Sequence, residues 1–173
     1  MMKALIVTIA LVASSWFTAA AQITEATNAS LKELEDRMAL KELVDVFSNL
    51  ADVKDVETQV LLFTEDATVD SHSNGHTSTM KGRKELAERF GAFLSRFETV
   101  YHINGQQVVK IDGDKATGTC YCQVVLIGNE NGKKMMNMQG VRYNDEYVRV
   151  DGKWLIAKRT SNFVWADRRA LNE

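Results

Sequence analysis

Three histidines are the side chains of this 173-residue chain whose ordinary titration lies nearest neutral pH, so each is a candidate proton acceptor. His102 sits in Thr99-Val100-Tyr101-His102-Ile103, at the start of a long alternating segment. One reading makes it a general base. The other makes it a half-buried strand residue hydrogen-bonded to backbone. Asp52 follows the apolar run Phe47–Ala51 at the end of a helical pattern. The helix dipole favours cations there, so a carboxylate at that end is badly placed unless something else holds it. It is read either as a solvated terminus or as an acid that orients a histidine, fixing its tautomer and stabilising its charged form. Spacing alone does not bring Asp52 and His102 together.

The other constellations carry less chemistry. Asp70, His72 and His76 form Asp-x-His-x-x-x-His, a set of oxygen and nitrogen donors that could hold zinc. Ser73-Asn74-Gly75 between them is turn chemistry and no fourth ligand is evident, so a polar turn is expected and no metal. Tyr101, Tyr121 and Tyr143 lie in the strand half of the chain, where an inward hydroxyl would donate to a ligand. Cys120 and Cys122 are two apart in a strand-like run and point to one face, a poor geometry for a disulfide and not a C-x-x-C redox pair. Two buried thiols lining a core or cavity are expected. Gly-x-Ser-x-Gly and glycine-rich phosphate loops are absent from the sequence, so no cofactor is expected.

The positioning elements follow from periodicity. Ser30-x-x-Glu33 has the form of a capping box, and Leu31, Leu34, Met38, Leu43, Phe47 and Leu50 recur behind it at helical spacing, predicting a helix over about 30–51. Asp55 caps a shorter helix, Thr68–His72 reads as a strand, and Gly82 opens a third helix carrying Leu86, Phe90, Phe93 and Phe97 on one side. From Thr99 the period becomes two, giving strands near 99–111, 115–128, 134–149 and 153–164 joined by Asp-Gly and Asn-Gly turns. A short terminal helix is read at Ala166–Asn172. Helices followed by an antiparallel meander imply an α+β domain, a curved sheet packed on about three helices, with a conical interior that side chains leave partly unfilled.

Composition bounds the function. The chain is 45% hydrophobic and 25% charged with a formal charge of −2 and no proline, so one globular domain is expected. Lys and Arg are scattered, which argues against a nucleic-acid partner. Residues 1–21 read as a signal peptide: Lys3, the apolar run Ala4–Ala13, then Ala19-Ala20-Ala21 before Gln22. Residues 22–29 are a polar lead-in and 30–173 the domain. The expected location is secreted or periplasmic, without membrane attachment after cleavage.

The ordered set Ala39-Leu40-Lys41-Glu42-Leu43 through Leu50-Ala51-Asp52, Met80-Lys81-Gly82-Arg83-Lys84-Glu85-Leu86, Asp112-Gly113-Asp114-Lys115-Ala116-Thr117-Gly118 and Tyr143 to Trp154 resembles the SnoaL-like proteins of the nuclear transport factor 2-like superfamily. That resemblance implies a cone-shaped α+β barrel with a pocket, commonly a homodimer through the outer sheet face, and no single activity. Its dehydratase-like and dehydrochlorinase-like members use an aspartate ending the first helix and a histidine opening the strand after the third. Asp52 and His102 match those positions. Bile-acid dehydratase-like members carry a tyrosine five residues before the aspartate, where this chain has Phe47. The expectation is therefore a cofactor-free lyase or isomerase acting on a hydrophobic small molecule, or a non-catalytic binding module of the same fold. Phe47, Tyr101, Cys120, Cys122 and Tyr143 are expected to line the pocket.

Overall fold

The structure, a computed structural model, describes residues 2–171, with side chains at 25 and 27–171. The chain divides into two compact units, Met1–Met38 and Ala39–Glu173. Helix α1 runs Met2–Asp52, well past the expected start. No Gly or Pro interrupts residues 22–29, so nothing stops the helix there, and Ser30 and Glu33 lie inside it rather than at a cap. Glu33 instead accepts from Arg37 one turn on, at 2.7 Å. The expected leader, 1–21, lies outside the residues whose side chains are described. Among the described residues no helix is long and apolar enough to cross a membrane.

In the second unit, α1 ends by a backbone device that fixes Asp52. Lys54 takes φ 61°, its N–H donates to the Ala51 carbonyl (3.1 Å), and the Asp55 N–H donates to Leu50 (2.9 Å). This is the Schellman pattern of a helix stop. Asp55 then accepts from the Thr58 N–H at 3.1 Å and caps α2 (Val56–Gln59), as its sequence position suggests. After a 3₁₀ turn come β1 (Phe63–Ser73), β2 (His76–Lys81), α3 (Gly82–Leu94), β3 (Thr99–Asp112), β4 (Lys115–Glu130), β5 (Lys133–Val150) and β6 (Lys153–Ala170).

The α+β class holds, with two refinements. The sheet has order β2-β1-β6-β5-β4-β3, so it is unclosed, and β1 pairs with β6 in parallel, so it is mixed rather than wholly antiparallel. The return strand β2 was not legible because only its Met80 is buried. Asn74-Gly75, both at positive φ, make the two-residue turn that folds it onto β1. The expected terminal helix is also absent. Residues 166–170 continue β6 because the start of β5 offers an unpaired edge, with Met135 opposite Ala170 and Gln139 opposite Ala166.

The inward face of the sheet is set by alternation. Val124 and Leu126 on β4, Val141 and Tyr143 on β5, and Ile156 on β6 are buried, and meet Leu40, Val44, Phe47 and Ala51 from the last turns of α1. Three inward side chains of the edge strand β3 tie it to α1. Asn104 Nδ2 donates to the Val44 carbonyl (3.2 Å) and the Ser48 hydroxyl (3.0 Å), Gln107 Nε2 donates to the Leu40 carbonyl (3.2 Å), and His102 meets Asp52.

Candidate active site

Asp52 and His102, fifty residues apart, are in direct contact. His102 Nδ1 lies 2.6 Å from Asp52 Oδ1, and the His102 backbone N–H donates to Asp52 Oδ2 at 3.2 Å. A carboxylate only accepts, so the proton of the neutral ring resides on Nδ1 and Nε2 is left as the basic nitrogen. The two bonds answer the problem of an acid at a helix C-terminus: the strand supplies the donors that the dipole does not. The His102 side chain is 8% exposed and that of Asp52 21%. Burial pushes the His102 ring below the usual histidine range, and Arg159 adds to this, while Asp52 works in the opposite direction. Burial prevails, so the imidazole is neutral and basic at neutral pH.

His102 opens onto a cavity of about 320 Å³ between the last turn of α1, α3 and the inward face of the sheet. Phe47, Phe90, Phe93, Tyr143 and Phe163 give it an aromatic lining. Strand register adds a polar row: Ser78 on β2 faces Ser71 on β1, which faces Ser161 on β6, and all three line the cavity.

A cation that the sequence analysis missed is also in this wall. Arg159 is 1% exposed. Its Nε and Nη2 donate to the two oxygens of Asp145 at 2.8 and 2.6 Å, and Tyr147 also donates to Asp145, at 2.8 Å. The guanidinium carbon lies 4.3 Å from the ring centres of Phe47 and of Tyr143, a cation–π contact with each of two rings that themselves meet edge to face. Burial opposes its charge, but the Asp145 charge and hydrogen bonds outweigh that, and Arg159 is held above its ordinary range. Its remaining nitrogen, Nη1, is buried without a hydrogen-bond partner. The signal was weak in sequence. Arg159 sits in Ala157-Lys158-Arg159-Thr160, where alternation around Ile156 and Ser161 becomes interpretable only once the bulge between Glu146 and Tyr147 is known.

The expected lining divides. Phe47 and Tyr143 line the cavity, the latter with its hydroxyl proton held more tightly than usual by burial. Tyr101 does not: it precedes inward His102 on the strand, points to the opposite face and is 53% exposed. Tyr121 is out for the same reason. Cys120 and Cys122 are free and buried on the inward face, but they are packed into the core beside the cavity. Burial raises both thiols, Cys122 to about 12, so neither is a thiolate at neutral pH. Asp70 and His72 alternate with inward Ser71 and so lie on the outer face. Asp70 accepts from Thr79 (2.6 Å) and pairs with Lys158 (3.5 Å), and His72 bonds Thr77 (2.8 Å).

A curved mixed sheet folded over helices, with a pocket between them and an acid–imidazole pair in its wall, defines the class of small-pocket α+β proteins to which the nuclear transport factor 2-like fold belongs. The chain is a member of the SnoaL-like domain family, whose model matches residues 32–160. An uncharacterized protein of Mycobacterium tuberculosis (strain H37Rv) is 26% identical over 133 residues, 75% of this chain and 86% of that protein. Hexachlorocyclohexane dehydrochlorinase type 3 of Novosphingobium barchaimii superposes with a TM-score of 0.69 at 18% identity, covering 81% of this chain and 94% of that one. A provisionally named scytalone dehydratase of Novosphingobium aromaticivorans has the same TM-score, 0.69, at 18% identity, covering 81% and 91%. At these identities the two structures share the fold.

Proposed function

We propose that the protein is a cofactor-free lyase or isomerase acting on a hydrophobic small molecule held in the aromatic cavity. The observation that carries this is the 2.6 Å contact of Asp52 with a cavity-lining histidine. In the proposed step, His102 Nε2 takes a proton from a substrate carbon beside an activating group. The C–H electron pair becomes the new π bond as the leaving group departs with its own pair; in an isomerisation it instead delocalises into the adjacent π system and the His102 imidazolium returns the proton at the far carbon. The imidazolium so formed keeps Nδ1–H on Asp52, and the burial of both side chains strengthens that pairing. Arg159 Nη1 is the donor available to the charge that builds on the leaving group or on an enolate oxygen.

Phe47 has no proton to give, and the proposed reaction therefore needs a leaving group that departs without a tyrosine at that place. The Arg159 cation, 4.3 Å over the same ring, supports elimination of an anionic or hydrogen-bond-accepting group. The dehydrochlorinase among the similar folds is consistent with such chemistry.

The test is a screen of halogenated, hydroxylated and keto ring compounds against the wild type and His102→Ala. General-base assistance is worth typically about 10²–10⁴-fold, and turnover is expected to fall by that order. Turnover that survives the substitution defeats the proposal, and ligands that bind without turnover make the protein a binding module. We also propose export by residues 1–21, tested by N-terminal sequencing of the mature protein. A homodimer through the outer sheet face is proposed from exposed Tyr101, Ile103 and Tyr121, tested by sedimentation.

A further inference from the structure

Gln59 ends α2 with 1% exposure, lines the cavity and takes no part in the proton transfer above. A fully buried amide normally has both ends satisfied, because an unmade hydrogen bond in the interior carries the full desolvation cost. Only one end of Gln59 is satisfied by the protein. Its Nε2 donates to the Phe47 carbonyl at 3.0 Å, which fixes which end of the amide is which, since a carbonyl accepts and never donates. Its Oε1 is buried with no hydrogen-bond partner.

The placement of that oxygen distinguishes it from an accidental defect. The Phe47 backbone anchors the Gln59 amide, while the Phe47 ring lies against the Arg159 guanidinium. The one residue thus ties together two polar atoms with opposite requirements, an acceptor at Gln59 Oε1 and a donor at Arg159 Nη1. None of the donors in the cavity wall, the serine row and Arg159 included, makes a hydrogen bond to Gln59 Oε1. The geometry points to Gln59 as a specificity residue whose amide oxygen accepts a hydrogen bond from a hydroxyl or N–H of the bound molecule. The ligand class is an apolar ring compound bearing a neutral hydrogen-bond donor, and the same site disfavours the isosteric hydrocarbon because Oε1 would stay unpaired. This rests on the proposed function only in that the cavity takes a small apolar molecule. It is independent of whether His102 turns that molecule over.

Two isosteric probes separate the alternatives, 2-naphthol and 2-methylnaphthalene, titrated against the wild type and Gln59→Leu with detection by ligand fluorescence. The expected result is that the wild-type preference for 2-naphthol over 2-methylnaphthalene falls about tenfold or more in Gln59→Leu, mainly by weaker naphthol binding, as for one lost buried hydrogen bond. An unchanged ratio, with both compounds bound by both proteins, overturns the role of Gln59 and leaves the ligand pocket standing. Binding of neither compound by the wild type defeats the pocket reading and this inference with it. Because Gln59→Leu also removes the bond to Phe47, the wild type supplies a second readout. The side-chain amide resonances of Gln59 are expected to shift on adding 2-naphthol and to stay in place on adding 2-methylnaphthalene, and equal shifts for both overturn the inference.

Discussion

Both oxygens of the Asp52 carboxylate are engaged by a single residue, His102, one by its ring and one by its backbone amide. The same carboxylate therefore fixes the ring's rotation and locks the strand that carries it to the end of α1. Asp52→Asn keeps the shape but offers a donor as well as an acceptor, so the Nδ1–H tautomer loses its enforcement. Imidazole nitrogen NMR at neutral pH is expected to show Nδ1 protonated in the wild type and a mixture in Asp52→Asn. Any activity found in the screen should fall with it, and a wild type already mixed between tautomers would remove Asp52 as the orienting group.

The depressed His102 also makes a prediction about acid. Its folded-state pKa lies below the ordinary 6.5, so between the two values the unfolded chain binds more protons than the folded one. Stability from this group is then present above about pH 6.5 and is lost as pH falls. Denaturation midpoints measured from pH 7.5 to 5.5 should drop more steeply in the wild type than in His102→Gln, and equal slopes would show that burial does not disfavour the imidazolium. The acid limb of kcat/KM should likewise lie below 6.5.

How much of this was legible depended on the range of the interaction. Asp52 and His102 could be picked out singly because each is chemically conspicuous in its local place, an acid where the helix dipole repels it and a histidine at the change from period 3.6 to period 2, but their pairing was suggested only by the family resemblance. The α+β class followed from the same change. Arg159 escaped because its meaning lies in Asp145 on the neighbouring strand, a pairing set by register and bulges that periodicity does not encode. Tyr101 was misplaced as pocket lining because strand alternation puts neighbouring residues on opposite faces, and His102 had already claimed the inner one. Strand β2 depends on backbone pairing with β1 across the Asn74-Gly75 turn and the strand at 166–170 on pairing with the start of β5, and in both the pairing overrides weak local preference.

The Asp145–Arg159 pair makes opposite predictions for single and double changes. Removing one partner of a buried ion pair leaves an uncompensated charge, which costs about 3–5 kcal/mol. Asp145→Ala should therefore destabilise strongly in a urea titration, the more so because Tyr147 loses its acceptor too. Replacing both partners by apolar residues of similar volume, Asp145→Leu with Arg159→Met, should restore much of that stability. It should also abolish any chemistry that depends on the Arg159 Nη1 donor in the cavity wall. If the single and double variants are equally unstable, the pair is not the source of the loss.

Gly118 supports this pair from the facing strand, and its missing side chain is part of the design. It stands opposite Asp145, and a Cβ built on it would lie 2.9 Å from Cε2 of Tyr147 and 3.1 Å from Cγ1 of Val109. The obstructing atom belongs to a stiff, 1% exposed ring whose hydroxyl is tied to Asp145, so it cannot swing clear without breaking that bond. Gly118→Ala is therefore expected to cost about 1–3 kcal/mol as overpacking and to loosen the grip of Asp145 on Arg159. The comparison is Gly140→Ala, where a Cβ would meet Trp165 Nε1 in a closer clash, but against a ring that is 49% exposed. Chemical denaturation should rank Gly118→Ala as the more destabilising of the two despite the smaller nominal overlap. The reverse order would mean that Tyr147 has room to give way and that its bond to Asp145 is not what holds the ring.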